Sequence, residues 1–232
     1  MKLCVALDMP SKNECLNFAK SAAGLDIWLK IGMRAFYRDG ADFLKELKNI
    51  GNFKLFVDLK LYDIPNTMCD AACELAKIGA DMINLHASAG VAAMNAVSKR
   101  LKSEFGQSRP LVLAVTALTS FDEENFCDIY STNIENFVKK MSKESKENGI
   151  DGVVCSAYES RMIKELCGDD FITLCPGIRP VIGGHFTDKN DQARVAGIGY
   201  AKEQKADFIV VGRPIYQASD PKIALREVLE QL

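Results

Sequence analysis

Eight short apolar segments recur along the chain, and most are followed by a segment with the spacing of an amphipathic helix. The predicted strands occupy residues 3–8, 27–32, 54–60, 81–87, 111–118, 152–157, 171–178 and 207–213. Near-continuous apolar strands are typical of a parallel sheet that is buried on both faces. Eight such units in 232 residues predict a (β/α)8 TIM barrel, with a doubly wound open sheet as the alternative. No linker rich in Pro, Gly or Ser interrupts the pattern, so we expect one domain over residues 1–232.

The composition is that of an ordinary globular protein, with 48% hydrophobic residues, 26% charged residues and a net charge of −2. No long run of like charge is present, which argues against nucleic acid or a membrane surface as the main partner. The eight cysteines form no CxxC pair, and their spacing does not support a metal site. The N-terminal residues lack the apolar core of a signal peptide, and we expect a cytoplasmic protein.

Polar residues follow the predicted strands at the points where the apolar runs end. They are Asp8, Lys30, Asp58, Lys60, His86, Thr119, Arg179 and Arg213. In a barrel the carboxyl ends of the strands meet at one face, where the chemistry of such proteins is found. Loops are polar in any protein, which is the alternative explanation for each residue alone. Charged residues at five strand ends together favour a functional site at this face. We expect His86 to fix a loop.

The segment FVDLKLYDIPNT, residues 56–67, contains the densest charge pattern. Asp58 and Lys60 are two residues apart on a strand and therefore point to the same side. Lys30 ends the preceding strand, so Lys30, Asp58, Lys60 and Asp63 form a set of alternating charge. Flanking carboxylates favour the protonated form of Lys60, which suits proton donation to carbon after a decarboxylation. The alternative is a structural network of ion pairs at the barrel rim.

The segment DLKLYDIPNT resembles the signature of the orotidine 5′-monophosphate decarboxylase family. The segments VALD, LKIG, VTALT, PGIRP, DQ before ARVAG, and VVGRPI stand in the family's order along the whole chain. The resemblance implies conversion of orotidine 5′-monophosphate to uridine 5′-monophosphate without metal or organic cofactor. This reaction is the last step of de novo pyrimidine nucleotide synthesis. The resemblance also implies a homodimer with shared active sites.

The resemblance also implies roles for the charged residues. Lys60 is expected to donate a proton to carbon 6 of the pyrimidine, within an array completed by Lys30, Asp58 and Asp63. Asp63 is expected to reach into the site of the partner subunit, and Thr67 to touch the ribose across the same interface. Asn66 or Thr67 alone could instead cap the third helix.

The remaining contacts implied by the resemblance are with the ribose, the base and the phosphate. Asp8 and Lys30 are expected to bind ribose hydroxyls, and Thr119 the pyrimidine edge. Arg213, with the backbone of Gly212, is expected to hold the phosphate, since its planar fork matches phosphate oxygens. Asp8 alone could cap the first helix, with Ser11 as the competing cap.

A loop rich in glycine follows the seventh predicted strand. Arg179 and Gln192 are expected to flank it, and the adjacent Gly183 and Gly184 suit a loop that closes over the substrate. Compared with the family pattern that the resemblance implies, the interval from Arg179 to Gln192 looks about four residues longer than in the shorter bacterial relatives.

Two other functions share parts of this pattern. A magnesium-dependent decarboxylase or synthase of keto sugar phosphates shares the DxKxxD motif but needs a carboxylate ligand at the end of the second strand. Lys30 stands there, and Mg²⁺ requires oxygen donors. A non-catalytic barrel that binds phosphorylated metabolites could have the same fold, although phosphate binding does not call for two buried carboxylates.

Overall fold

The computed structural model describes residues 1–186 and 194–232. Its central element is a closed barrel of eight parallel strands, in which each strand pairs with the next along the chain and β8 pairs with β1. The strands are β1 (Lys2–Ala6), β2 (Trp28–Gly32), β3 (Lys54–Leu61), β4 (Met82–His86), β5 (Leu111–Val115), β6 (Gly152–Val154), β7 (Ile172–Cys175) and β8 (Phe208–Val211). The predicted (β/α)8 barrel is therefore confirmed, and the open doubly wound sheet is wrong.

Helices occupy the connections between the strands and the segment that follows β8. They are α1 (Lys12–Ser21), α2 (Met33–Ile50), α3 (Pro65–Lys77), α4 (Val91–Phe105), α5 (Glu123–Tyr130), α6 (Ile134–Glu147), α7 (Ala157–Cys167), α8 (Ile198–Glu203), α9 (Arg213–Tyr216) and α10 (Pro221–Glu230). Within α2 the backbone leaves the helical conformation at Gly40, where φ is 69°. Among the described residues, no helix is both long and apolar enough to cross a membrane.

The structure decides between the two predicted caps of α1 and corrects the predicted cap of α3. Ser11 caps α1, because its side chain accepts the N–H of Glu14 at 3.2 Å. Asp8 does not cap the helix and lies at the mouth of the barrel. Helix α3 begins earlier than expected, at Pro65, which suits a first helical position because it has no N–H to satisfy. Asn66 and Thr67 therefore lie in the first turn and do not cap the helix.

The fifth, sixth and seventh strands are shorter than their apolar runs predicted. Strand β6 ends at Val154 because Ser156 begins α7 with a capping box, in which Glu159 accepts the N–H of Ser156 at 2.8 Å. Strand β7 ends before Pro176 and Gly177, and Gly177 has a φ of 80°. Local helix and turn signals thus end strands whose hydrophobicity continues.

The barrel separates two apolar layers. Side chains of Cys4, Trp28, Phe56, Met82, Leu113, Leu174, Phe208 and Val210 form one buried cluster. The alternate residues of the strands join a second cluster with the helices, and Leu55, Val57 and Leu59 of β3 belong to it as predicted. This alternation leaves Asp58 and Lys60 on the face that continues from Phe56, at the carboxyl end of the barrel.

The opposite end of the barrel is held by three aspartates, Asp81, Asp151 and Asp207. Each precedes an even-numbered strand, and its carboxylate accepts the N–H of a residue on the preceding strand at 2.8 Å. The donors are Leu55, Val112 and Thr173, respectively. Each aspartate also forms an ion pair with a lysine or arginine.

Candidate active site

A cavity of about 330 Å³ opens at the carboxyl ends of the strands. Eight of the residues predicted for the site line it: Asp8, Lys30, Asp58, Lys60, Thr119, Arg179, Gly212 and Arg213. Apolar side chains of the barrel interior, among them Phe56 and Leu174, form another part of its lining. The polar strand ends therefore converge on one pocket with an apolar part, as expected for a small-molecule site.

Four charged side chains, Lys60, Asp58, Lys30 and Asp8, form a continuous chain across the cavity. Asp58 accepts Lys60 Nζ on Oδ1 at 2.6 Å, and its Oδ2 lies 3.3 Å from Lys30 Nζ. Lys30 Nζ also lies 3.5 Å from Asp8 Oδ1. The pairing of β2 with β3 sets Lys30 beside Phe56, two residues before Asp58, and the long side chain of Lys30 reaches the carboxylate of Asp58.

Neighbouring charges keep both Asp58 and Lys30 in their ionised forms. Burial acts to raise the pKa of Asp58, but Lys30, Lys60 and a hydrogen bond from Asn84 outweigh it and lower that pKa to about 2. Burial acts to lower the pKa of Lys30, but Asp58 and Asp8 outweigh it and raise that pKa. Near neutral pH the cavity therefore contains an ionised carboxylate beside the ammonium of Lys30.

The surroundings of Gly32 explain why the LKIG segment ends in a glycine. A Cβ atom at this position would lie 2.9 Å from Lys30 Nζ and 3.0 Å from Asp8 Oδ1. Any larger residue would therefore displace two charged groups of the cavity.

The backbone of Lys60 is unusual. Its φ is 54°, in the left-handed region that residues other than glycine rarely adopt. The pairing of β3 with β4 shifts register between Val57 and Leu61, which surround this residue. The N–H of Lys60 is accepted by Asn84 Oδ1 at 2.8 Å.

Asn84 is the residue that the sequence analysis missed. It lies in β4, is 1% exposed, and also donates from Nδ2 to Asp58 Oδ1 at 2.8 Å. The sequence signal that could have found Asn84 is its amide side chain in the middle of the apolar run MINLH. A buried amide needs hydrogen-bond partners, and here both lie on β3.

The predicted phosphate end is formed by Gly212 and Arg213. Gly212 follows β8 directly, and a Cβ atom there would lie 3.2 Å from Cβ of Ala6, so the glycine permits close packing of β8 on β1. Arg213 begins α9, and the buried Arg179 adds a second guanidinium to the cavity lining. Gln192, predicted to flank the adjacent loop, lies outside the described residues.

Asp63 and Thr67 do not line this cavity. Both are exposed and line a neighbouring depression, to which Lys60, Tyr37 and Tyr62 also contribute. Within one chain the structure thus joins Lys30, Asp58 and Lys60 in the cavity, and places Asp63 in the neighbouring depression, which Lys60 also lines.

His86 behaves as the sequence analysis expected of a residue that fixes a loop. Its Nδ1 accepts the N–H of Ser88 at 3.3 Å, and its ring stacks on Tyr62 with centroids 5.3 Å apart. Burial, assisted by the charge of Lys60, lowers the pKa of His86. In the part of the chain that the structure describes, no group of three or more His, Cys, Asp or Glu could hold a metal.

The fold and this cavity define a (β/α)8-barrel protein with a charged pocket at the position where barrel enzymes have their active sites. A family profile described as "Orotidine 5'-phosphate decarboxylase / HUMPS family" matches residues 1–228. The chain belongs to this family.

Relatives and solved structures agree with this membership. Curated proteins named orotidine 5'-phosphate decarboxylase from Campylobacter jejuni subsp. jejuni and Nitratiruptor sp. are 56% and 57% identical, with 100% of both chains covered in each case. The crystal structure of orotidine 5'-phosphate decarboxylase from Lactobacillus acidophilus is 36% identical, with a TM-score of 0.83. That alignment covers 99% of this chain and 98% of the other.

Proposed function

We propose that the chain decarboxylates orotidine 5′-phosphate to uridine 5′-phosphate without a metal or organic cofactor. The observation that carries this proposal is the chain of charges Lys30, Asp58 and Lys60 inside the strand-end cavity. The name shared by the full-length relatives supports the substrate. By the same argument the reaction is the last step of de novo pyrimidine nucleotide synthesis. The eight free cysteines support the cytoplasm, a reducing compartment, as its location.

Lys60 is the proton donor in this proposal. When the bond between carbon 6 and the carboxylate breaks, carbon dioxide leaves and the electron pair stays on carbon 6. The ammonium of Lys60 stabilises this developing charge, because a fixed charge in a partly dry site interacts strongly. Carbon 6 then takes a proton from Nζ, and water returns one to the lysine. Asp58, 2.6 Å away, holds Nζ in position.

The other cavity residues bind the rest of the substrate. Arg213 and the backbone of Gly212 bind the phosphate, and Asp8 with Lys30 binds the ribose hydroxyls. Thr119 contacts the pyrimidine edge. Their common position around one cavity supports these roles. Arg179 and Gln192 flank the loop that closes over the substrate, and the position of Arg179 in the cavity lining supports its part.

We also propose that two chains form a dimer with shared active sites. Asp63 and Thr67 are exposed beside the large apolar side chains Tyr37, Tyr62 and Ile64, which are 75%, 64% and 67% exposed. Exposed apolar groups clustered in this way suit an interface. Asp63 and Thr67 then serve the site of the partner chain, while Lys60 serves its own.

An assay with orotidine 5′-phosphate in chelator-treated buffer tests the proposed function, with the loss of substrate absorbance as the measurement. The untreated and chelated enzymes should have equal turnover. Lys60→Ala should lower kcat by about 10² to 10⁴-fold, the range for loss of a general acid. Lys54→Ala is the matched control, since Lys54 begins the same strand, is exposed and pairs with Asp81.

Two results would contradict the proposal. A complete loss of activity on chelation that added Mg²⁺ restores would favour the sugar-phosphate enzyme. Turnover of Lys60→Ala close to that of Lys54→Ala would exclude Lys60 from the chemistry.

A further inference from the structure

Asn84 connects the backbone of Lys60 with the carboxylate of Asp58 through one amide group. Its carbonyl oxygen accepts the backbone N–H of Lys60, and its NH₂ group donates to Asp58 Oδ1, both at 2.8 Å. A backbone N–H can only donate and an ionised carboxylate can only accept, so the orientation of the amide is determined by its partners. No other residue type offers both groups at this length of side chain.

The contact with Lys60 supports a strained backbone. A left-handed conformation at a residue with a side chain costs about 1–2 kcal/mol, and such strain persists only where the surroundings hold it. The register shift between β3 and β4 places the N–H of Lys60 opposite Asn84 instead of a carbonyl of the ladder. The side chain of Asn84 therefore replaces a backbone partner at the point where the strand bends.

The contact with Asp58 fixes the direction of a carboxylate. Asp58 Oδ1 accepts from both Asn84 and Lys60 Nζ, which leaves Oδ2 towards Lys30. Rotation of the carboxyl group would break these contacts together. The amide thus holds the backbone of Lys60 and the partner of its Nζ with one rigid group.

We propose that Asn84 is a positioning residue for proton transfer, which aims Lys60 Nζ by holding the Lys60 backbone and Asp58 together. The proposal rests on the proposed decarboxylation. Asn84 does not line the described cavity, so its loss should change the chemical step and leave binding of the phosphate and ribose intact.

The test compares Asn84→Ala and Asn84→Asp with the unaltered protein. Asn84→Asp keeps the shape and the acceptor but cannot donate to Asp58 when ionised. Both variants should lower kcat about 100-fold, the effect of a displacement of about 1 Å in a reacting group. The affinity for uridine 5′-monophosphate, measured by calorimetry, should change less than about threefold, because the phosphate and ribose contacts are untouched.

Asp81→Asn is the matched control, because Asp81 immediately precedes the same strand at the opposite end of the barrel. It should lower the melting temperature and leave kcat unchanged. If Asn84→Ala does not fold, the kcat and product affinity of the isosteric Asn84→Asp decide whether the proposal holds. A kcat near that of the unaltered protein, or a parallel loss of turnover and product affinity, would overturn the proposal.

Crystal structures of the variants supply a test that needs no activity. Lys60 Nζ should move by more than about 1 Å from its position beside Asp58, as a side chain does when its support is lost. An unchanged Lys60 in a folded variant would overturn the positioning role even if the substrate proved to be another molecule. Absence of activity in the unaltered protein would instead count against the proposed function.

Discussion

At the scale of single residues, Asp58 is governed by a competition between burial and neighbouring charge. Burial in the barrel disfavours its ionised form, whereas Lys30, Lys60 and the amide of Asn84 favour it, and the pKa falls to about 2. The charges win because the ammonium of Lys60 lies at hydrogen-bond distance from one oxygen and that of Lys30 at 3.3 Å from the other. The pairing for which we propose a catalytic role therefore also contributes to stability.

This shift predicts a loss of stability in acid. An aspartate of the unfolded chain titrates near pH 4, so between about pH 4 and pH 2 the unfolded state binds more protons and stability falls as the pH is lowered. A fall in the pKa of Asp58 from near 4 to about 2 corresponds to roughly 2 to 3 kcal/mol of stability, of which about 1 kcal/mol is lost by pH 3. Between pH 5 and pH 3 the free energy of unfolding of the unaltered protein, measured in urea, should fall by about 1 kcal/mol more than that of Asp58→Asn. Equal losses in the two proteins would contradict it.

At the scale of elements, the barrel separates stability from chemistry. The aspartates that precede β4, β6 and β8 link neighbouring strands at one end, and the charged strand ends form the cavity at the other. Lys164 of α7 is the most buried of their partners, and its Nζ donates to Asp207 Oδ2 at 2.6 Å and to the carbonyls of Asp169 and Phe171. This contact ties the outer helix to the bottom of the sheet.

The pair formed by Lys164 and Asp207 should be strongly coupled. Asp207→Asn should lower the free energy of unfolding by about 3 kcal/mol, because it leaves a buried ammonium without its counter-charge. The double variant Asp207→Asn/Lys164→Met should lose much less free energy of unfolding than the two single variants together. Urea unfolding should give a coupling energy above about 1 kcal/mol. The kcat of all three variants should match the unaltered protein. Additive effects would mean that the pair is not a unit.

At the scale of the whole molecule, one chain contains most of the predicted site but not all of it. The exposed Asp63 and Thr67 lie beside Tyr62 and Ile64, on a surface separate from the cavity. In the dimer that we propose, a second chain covers this surface, buries the apolar groups and receives Asp63 in its own cavity. That residues 1–232 act as one domain also stays a prediction.

Mixed dimers test the shared site. Lys60→Ala and Asp63→Asn homodimers, each expected to be inactive, are dissociated and remixed in equal amounts. In a mixed dimer the Asp63→Asn chain keeps its own Lys60 and receives an intact Asp63, so one site is complete. Random pairing makes about half of the dimers mixed, and about a quarter of the unaltered activity should return in a two-fold assembly. Verified exchange of chains without recovery would mean that Asp63 does not act across the interface.

Local sequence patterns were sufficient for the barrel and for most of the cavity. Eight apolar runs separated by helical spacing have few ways to bury both faces of their strands, and a closed parallel barrel is one of them. Once the strands are known, the charges that end them must meet at one face. Lys30, Asp58 and Lys60 could therefore be brought together from alternation and strand order alone.

The exact ends of β5 and β6, the partners of Asn84 and the left-handed Lys60 were decided by the tertiary structure. Hydrophobicity continues past Val154, but the capping box of Ser156 and Glu159 ends the strand. The bend at Lys60 depends on a register shift between β3 and β4, and register is a relation between two strands that neither sequence contains. Asn84 is only a polar residue in an apolar run until that shift brings it to Asp58 and Lys60, because hydrogen bonds between distant residues depend on their positions in space.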